Sequence, residues 1–310
     1  MAEMLYARDV YGKTLVELGK ANSNIVVLDA DLSGSTRTQL FAREFPERFF
    51  NFGVAEQNMM ATAAGMSSCG KVVFASTFAM FATGRAWDQV RNSICYNNFN
   101  VKIVATHAGL TVGPDGASHQ AIEDIAIMRA IPNMTIIVPC DGPETREAVI
   151  AAYEHDGPVY VRIGRVKVYT IEDKPKFVLG KGYKLKDGKD ISLIACGIMV
   201  KSTLDAAAAL EKEGISARVI NLHTIRPIDT DIIINAAKET KGIIVCEEHS
   251  VIGGLASAVS DVVVENQPVP VLKIGIKNRF GQSGEPDELL QEYCLTCEEV
   301  VKTAKKILKK

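Results

Sequence analysis

Short apolar runs rich in β-branched residues alternate with longer stretches of helical periodicity throughout the first half of the chain. Apolar runs of this length are typical of strands in a parallel sheet that is covered on both faces. Strands that alternate with helices predict an α/β fold with right-handed crossover connections. The predicted strands are residues 25–28, 72–74, 101–104, 135–138 and 159–161, and the predicted helices are residues 6–20, 57–68, 79–96, 122–130 and 143–154.

The alternation pauses at residues 166–190, where proline, glycine and charged residues replace the apolar periodicity. A second series of strands and helices then begins. We therefore expect two parallel-sheet α/β domains, residues 1–170 and 191–310, joined by a linker of residues 171–190. In the second domain the predicted strands are residues 191–195, 217–220, 242–245 and 269–272, and the predicted helices are residues 199–213, 229–239, 253–265 and 286–308.

Composition and charge narrow the class of protein. Hydrophobic residues make up 47% of the 310 residues, which is enough to bury sizeable cores. The net charge is −2 and the basic residues are spread along the chain, so we expect no nucleic-acid partner. Apolar runs stay shorter than the roughly 18 residues that a membrane helix needs, and the N-terminus does not resemble a signal peptide, so we expect no membrane association.

Cysteine usage indicates a reducing compartment. The chain has seven cysteines at irregular spacing, which fits the cytoplasm better than a disulfide framework. Cys294 and Cys297 form a lone C-x-x-C pair with no second pair or histidine nearby. We interpret this pair as structural, and we expect no metal site on this chain.

Two segments could form a site for a flat heterocycle. Residues 53–60 read Gly-Val-Ala-Glu-Gln-Asn-Met-Met, and Glu56 follows a glycine turn at a predicted helix start. A carboxylate there could hydrogen-bond a ring nitrogen beyond the strand ends. Taken alone, the segment favours an exposed glutamate near the positive end of the helix. Phe78 and Phe81 are three residues apart and share one helix face, so they could form an aromatic slot or pack in the core.

Residues 106–120 form the most distinctive segment. They follow a predicted strand, are rich in glycine, and contain His107, Asp115 and His119. Loops of this kind often carry function on a rigid scaffold. The spacing lacks the helical pattern of a metal site, and it suits polar contacts to a sugar-like substrate with proton transfer near neutral pH.

These segments, in this order, resemble the C-terminal half of transketolase, a thiamine diphosphate enzyme. The resemblance also includes Asp29-Ala30-Asp31-Leu32-Ser33-Gly34-Ser35 and the run from Gly157 to Arg165, and it covers nearly the whole chain. Such enzymes also need a Gly-Asp-Gly segment, followed further along by Asn, to hold the metal and the diphosphate. This sequence has no such segment. The chain therefore resembles the small C-terminal subunit of a split transketolase.

The resemblance implies that Glu56 is catalytic and hydrogen-bonds N1′ of the cofactor's aminopyrimidine, which promotes deprotonation of its thiazolium. The protein orients the cofactor, and the cofactor supplies the carbanion chemistry. The family's aromatic pocket corresponds to Phe78 and Phe81. The tyrosine that the family has three residues further on is replaced here by Gly84. Asp31 corresponds to an aspartate near the cofactor and the dimer interface.

The resemblance also implies a substrate site for sugar phosphates. Asp115 would bind a substrate hydroxyl, and His119 would be a second catalytic residue near the reacting carbons. Arginine suits a terminal phosphate because its fork bonds two oxygens. Arg162 is the alternative to Arg165 if the register slips. The family's phosphate site corresponds to Arg8, Ser35, His107 and Arg165.

Partners and reaction follow from the same resemblance. We expect an N-terminal transketolase subunit with the Gly-Asp-Gly…Asn motif, two copies of each chain in a heterotetramer, and Mg²⁺ or Ca²⁺ held mainly by that partner. The reaction would move a two-carbon ketol unit from xylulose 5-phosphate to ribose 5-phosphate or erythrose 4-phosphate, in the non-oxidative pentose phosphate pathway. The second domain would be structural and dimer-forming.

Two alternatives remain open. One is a 1-deoxyxylulose-5-phosphate synthase or the β subunit of a 2-oxoacid dehydrogenase. The synthases generally lack a histidine at position 107, and the dehydrogenase β chains usually lack the Gly-x-Asp-Gly-x-x-His pattern of residues 113–119. The other is a non-catalytic cofactor-binding module. Such a module would be expected to lose some of the residues Glu56, Asp115, His119 and Arg165, which are all present here.

Overall fold

The computed structural model describes residues 3–309 and contains the two predicted α/β domains. The strands are β1 (Met4–Tyr6), β2 (Ile25–Asp29), β3 (Phe49–Asn51), β4 (Val72–Ser76), β5 (Val101–Ala105), β6 (Thr135–Ile137), β7 (Val159–Arg162), β8 (Lys167–Tyr169), β9 (Tyr183–Lys186), β10 (Ile191–Ala195), β11 (Ala217–Asn221), β12 (Thr224–Arg226), β13 (Ile243–Ser250) and β14 (Val271–Ile276). Every strand that the sequence predicts is present, with its start displaced by at most two residues.

Helices connect the strands as the alternation predicts. The α-helices are α1 (Ala7–Ala21), α2 (Ser33–Thr36), α3 (Gln39–Glu44), α4 (Glu56–Ser68), α5 (Asp124–Arg129), α6 (Gly142–Glu154), α7 (Met199–Glu211), α8 (Thr230–Glu239), α9 (Leu255–Asn266), α10 (Pro286–Glu292) and α11 (Cys297–Leu308). Short 3₁₀ turns occupy Pro46–Arg48 and Leu110–Asp115. Within residues 3–309, no helix is long and apolar enough to cross a bilayer.

The larger sheet has seven strands in the order β12-β6-β7-β5-β4-β2-β3. All pairs are parallel except β12 with β6, and β12 comes from the second half of the chain. The second sheet has the order β14-β13-β10-β11-β9, and only β9 runs antiparallel to its neighbour. The predicted α/β fold with two parallel-sheet domains is confirmed.

Both faces of the larger sheet are buried, which explains the continuous apolar runs of its strands. Along β2, Ile25 and Val27 face a cluster that contains Tyr11 and Leu15 of α1. Val26 and Leu28 face the opposite cluster, which contains the methionines of α4. Successive side chains of a strand point to opposite faces, so an apolar residue is required at each position.

Two predicted helices are wrong in detail. The sequence predicts one helix over residues 79–96, but these residues form two wide π-type turns, Phe81–Arg85 and Gln89–Cys95. Gly84 has low helix propensity, and the Thr83 hydroxyl donates to the Ala79 carbonyl at 2.7 Å, which competes with regular helix bonding. Residues 286–308 form α10 and α11, because Cys294 adopts a left-handed conformation and Thr296 caps α11.

The segment predicted as a linker, residues 171–190, contains β9, which pairs antiparallel with β11 of the second sheet. Glycines and charges on both sides of this four-residue strand mask its pattern in the sequence. Before it, Phe177 is buried against the first domain's core. The boundaries of the two domains stay a prediction.

Candidate active site

Polar and aromatic side chains collect at the carboxyl ends of the central strands of the larger sheet. Asp29 ends β2, Phe78 follows β4, His107 follows β5 and Arg165 follows β7. These ends lie at one edge because the strands are parallel neighbours. Open α/β sheets bind ligands at this edge.

Glu56 begins α4 after the left-handed Gly53 and is almost fully buried, with 1% of its surface exposed. Its two carboxylate oxygens accept hydrogen bonds from one guanidinium nitrogen of Arg85, at 3.0 and 2.9 Å. The same guanidinium lies 4.5 Å from the centre of the Phe81 ring. Arg85 therefore pairs with the buried acid and stacks on the aromatic ring at the same time.

The aromatic residues form a continuous group. The Phe78 and Phe81 rings are stacked, with centroids 6.1 Å apart and an angle of 15° between their planes. His107 stacks on Phe78 at 3.9 Å, and His119 meets Phe81 edge-on at 5.3 Å. The structure thus brings the predicted aromatic pair together with both predicted histidines of the loop.

His107 is buried and neutral. Arg8 can only donate, so its bond to Nε2 of His107 at 3.3 Å makes that nitrogen the acceptor. Nδ1 then carries the proton and donates to the Thr106 hydroxyl at 2.8 Å. Burial lowers the pKa of His107 to about 3, and the charges of Arg8 and Arg165 act in the same direction.

A cluster of cations surrounds His107. Arg8 donates to the Ser35 carbonyl at 3.3 Å, while Arg165 donates to the Val112 carbonyl and lies 3.8 Å from the carboxylate of Asp115. Burial lowers the pKa of Arg8, and the neighbouring positive charge of Arg37 contributes to this lowering. Cations held this close together favour an anionic ligand between them.

Two residues lie outside this group. Asp31 has a left-handed backbone and exchanges hydrogen bonds with Asn51, and no described contact joins it to the aromatic rings or the arginines. Arg162, the alternative to Arg165, is buried and bonds Asp124 at 2.7 Å. Arg165, whose side chain is 36% exposed, therefore fits a ligand contact better than Arg162.

Sequence reasoning missed Arg85 and the role of Asp29. Arg85 lies in a segment predicted as regular helix, where its position relative to Glu56 could not be inferred. Asp29 is buried and accepts hydrogen bonds from the Leu32 amide at 2.6 Å and from the hydroxyls of Thr36 and Thr38 at 2.8 Å. An aspartate followed by a short polar segment is the signal that could have identified Asp29 as the residue that holds α2, the short helix that contains Ser35.

No group of three or more His, Cys, Asp or Glu side chains that could hold a metal ion is found between residues 3 and 309. The polar groups present suit other ligands: a buried carboxylate beside stacked aromatic rings suits a heteroaromatic ring, and the arginine cluster suits a phosphate or another anion. The fold and this site define a two-domain α/β protein that has a buried carboxylate, stacked aromatic rings and an arginine cluster at the carboxyl ends of its parallel strands.

The family is identified by two matches. Residues 3–170 match the family model described as transketolase, pyrimidine binding domain, and residues 180–300 match the one described as transketolase, C-terminal domain. The chain belongs to the transketolase family, whose members depend on thiamine diphosphate.

Several similar proteins are chains of nearly the same length as this one. The chain is 53% identical to a putative transketolase C-terminal section of Methanocaldococcus jannaschii over 98% of its own length and 96% of that protein's length. It is 39% identical to a 6-deoxy-6-sulfo-D-fructose transketolase subunit of a Clostridium species, over 97% of this chain and 94% of that subunit. It is also 39% identical to one of the apulose-4-phosphate transketolase subunits of Phocaeicola vulgatus, over 99% of each chain.

Solved structures agree with these matches. A structure described as a split-gene transketolase, inactive beta4 tetramer, is 52% identical and superposes with a TM-score of 0.92 over 98% of this chain and 99% of that one. A transketolase from Pichia stipitis in complex with a sugar phosphate is 26% identical, with a TM-score of 0.85. The match covers 99% of this chain and 46% of the Pichia chain, so this chain corresponds to about half of such a transketolase.

Proposed function

We propose that this chain is the C-terminal subunit of a split transketolase and supplies the pyrimidine side and most of the sugar-phosphate side of the active site. The observation that carries this proposal is the arrangement around Arg85. Its guanidinium contacts a buried carboxylate and an aromatic face, which are the two groups that an aminopyrimidine ring would use.

The residues present fit thiamine diphosphate on this side. When bound, the cofactor supplies a thiazolium carbanion that accepts and releases the ketol unit. In the proposal, Glu56 holds a hydrogen bond at N1′ of the pyrimidine, and Phe78 and Phe81 form the wall beside it. Asp31 has no described contact with the aromatic rings or the arginines, and its exposed carboxylate would contact the cofactor or the partner chain in the assembled complex. Arg85 moves aside for the ring, which its 45% exposed side chain allows.

The substrate is proposed to lie between the loop of residues 106–120 and the arginines. Asp115 would bind a sugar hydroxyl, and His119 would contact the oxygens near the reacting carbons and move protons there. The terminal phosphate would lie among the cations and hydrogen-bond donors that surround His107. The proposed phosphate ligands are Arg8, Ser35, His107 and Arg165. For His107 to donate to the phosphate, Arg8 would turn from Nε2 to the phosphate, and the imidazole would take the tautomer protonated at Nε2, with Nδ1 accepting from the Thr106 hydroxyl.

The reaction that we propose is transfer of a two-carbon ketol unit from xylulose 5-phosphate to ribose 5-phosphate or erythrose 4-phosphate, within the pentose phosphate pathway of the cytoplasm. The relatives named for a sulfonated sugar and for apulose 4-phosphate indicate that donors of this family differ. A sulfonate and a phosphate are both anions that arginine binds, so the substrate panel for the assay should contain both kinds of sugar.

The missing half of the site is proposed to lie on an N-terminal transketolase subunit that carries the Gly-Asp-Gly…Asn motif. That subunit would hold Mg²⁺ or Ca²⁺ with the diphosphate, and two copies of each chain would form a heterotetramer. The structural neighbour described as an inactive beta4 tetramer supports the expectation that this chain associates with copies of itself.

The test is a pull-down of the tagged chain from its native lysate, followed by mass spectrometry and a ketol-transfer assay of the isolated complex. We expect a second chain of similar size with the Gly-Asp-Gly…Asn segment and transfer from xylulose 5-phosphate. A complex that instead joins pyruvate to glyceraldehyde 3-phosphate would favour the 1-deoxyxylulose-5-phosphate synthase. This chain is 35% identical to such a synthase from Halothermothrix orenii, over 96% of this chain and 48% of the synthase. Recovery of the chain only with itself would favour the non-catalytic module.

A further inference from the structure

The loop with the proposed sugar ligands is held by the second domain. Glu248 lies on β13, is 4% exposed, and accepts a hydrogen bond from the Thr111 amide at 2.6 Å. A Cβ at Gly109, which has a φ of +84°, would overlap the Glu248 carboxylate. The first turn of the loop therefore has its shape fixed by a residue 137 positions later in the chain.

The other end of the loop is held by a second contact with the same domain. Gln120 is 2% exposed, and its amide nitrogen donates to the Leu110 carbonyl at 3.0 Å and to the Gln282 carbonyl at 2.9 Å. A Cβ at Gly281 would overlap the Gln120 side chain. The segment from Gly281 to Gly284 thus packs directly on the loop.

Glu248 is itself held in place by Arg162 of the first domain. Its backbone carbonyl accepts a hydrogen bond from Arg162 at 3.0 Å, and Arg162 forms a buried ion pair with Asp124 at 2.7 Å. Its carboxylate has a backbone amide of the loop as its hydrogen-bond partner. Burying a carboxylate costs free energy, and the hydrogen bond from the Thr111 amide offsets part of this cost. The same hydrogen bond fixes the position of that amide.

We propose that Glu248 is a positioning residue for the sugar substrate, and that the second domain sets the geometry of Asp115 and His119 through Thr111 and Gln120. This inference rests on the proposed function for the roles of Asp115 and His119. It assigns the second domain a part in substrate binding in addition to the structural and dimer-forming role expected from the sequence.

The test compares Glu248→Ala, which removes the acceptor, with Glu248→Gln, which keeps an acceptor oxygen in place. Glu247→Ala is the matched control, because Glu247 is also buried on β13 but accepts the amides of Leu255 and Ala256 at the start of α9. Two readouts are used: hydrogen–deuterium exchange of the peptide that contains residues 109–120 in the isolated chain, and ketol-transfer kinetics in the reconstituted complex.

We expect Glu248→Ala to speed exchange of this peptide and to raise the KM for the donor sugar phosphate about tenfold, with kcat and cofactor affinity changed much less. In Glu248→Gln the exchange rate of the peptide and the KM for the donor should return most of the way to the wild-type values. In Glu247→Ala the exchange rate and the KM should stay near the wild-type values. If Glu248→Ala does not fold, Gln120→Ala should give the same selective rise in KM.

The inference would be overturned if Glu248→Ala left the exchange rate and the KM unchanged. It would also be overturned if Glu248→Gln showed the same faster exchange and the same raised KM as Glu248→Ala. Failure of the proposed function is distinguishable from both results, because then the wild-type complex itself would not transfer a ketol unit. In that case the exchange experiment on the isolated chain still decides whether Glu248 holds the loop.

Discussion

Arg85 places one guanidinium nitrogen within 3.0 Å of both carboxylate oxygens of Glu56, while its guanidinium carbon lies 4.5 Å from the centre of the Phe81 ring. Arginine binds carboxylates and stacks on aromatic faces, and it uses both abilities here.

Replacing Arg85 by Ala should destabilise the isolated chain, because it leaves Glu56 buried without its ion partner. The loss should be on the order of 1 kcal/mol, since Arg85 is 45% exposed and its charge is screened by solvent. Thermal denaturation measures it. Arg91→Ala is the control, because Arg91 is an exposed arginine of the same region that bonds the neighbouring Asn92 and lies 6.0 Å from the centre of the Trp87 ring, with no buried acid as its described partner. Equal melting temperatures for both variants and wild type would contradict a stabilising pair.

Glu56→Gln should reduce ketol transfer by roughly a hundredfold or more, because it removes the carboxylate proposed to act at the pyrimidine nitrogen. The fold should stay intact, since glutamine has nearly the same shape. The measurement is kcat in the reconstituted complex, with circular dichroism to verify folding. Glu47→Gln changes an exposed glutamate that pairs with the neighbouring Arg48, and this variant should stay fully active. Near-normal turnover in Glu56→Gln would remove Glu56 from the mechanism.

Arg165→Ala should raise the KM for phosphorylated donors and change unphosphorylated donors much less, because the guanidinium is proposed to bind only the terminal anion. Steady-state kinetics with one donor of each kind provides the comparison. Arg146→Ala is a suitable control, since this exposed arginine pairs with Glu17 away from the site. An equal loss on both donors would argue against a phosphate contact.

His107 should make the chain less stable as the pH falls. Its pKa is about 3 in the folded chain and about 6.5 when unfolded, so between these values only the unfolded chain is protonated there. The free energy of unfolding should then decrease by up to about 1.4 kcal/mol per pH unit at this site. His107→Gln should remove this contribution below about pH 6. Denaturant titrations at several pH values measure the free energy of unfolding of the wild type and of His107→Gln. If the two proteins lose this free energy equally as the pH falls, His107 does not contribute.

The sequence predicts this fold well because strand and helix periodicity are local properties. Ile25 to Asp29 forms a strand in which each residue is buried, and the sequence alone predicts this strand. Phe78 and Phe81 are also close in sequence, so their stacking could be anticipated. Glu248 could not be linked to Thr111, because the two lie in different domains and only the folded chain brings them together.

Irregular backbone limits the prediction in a second way. The turn from Phe81 to Arg85 departs from a regular helix, and Arg85 at the end of this turn lies over the Phe81 ring and beside Glu56. Helical periodicity contains no information about such a turn. The sequence does propose Glu56, Phe78 and Phe81 as candidate site residues. Their positions depend on the regular elements that precede them.

Calorimetric titration with thiamine diphosphate and Mg²⁺ tests the proposal that this chain supplies one half of a cofactor site. The titration is done on this chain alone, on its partner alone and on the equimolar mixture. We expect tight binding only in the mixture, together with the appearance of ketol transfer. Tight binding and full activity of this chain alone would contradict the proposal.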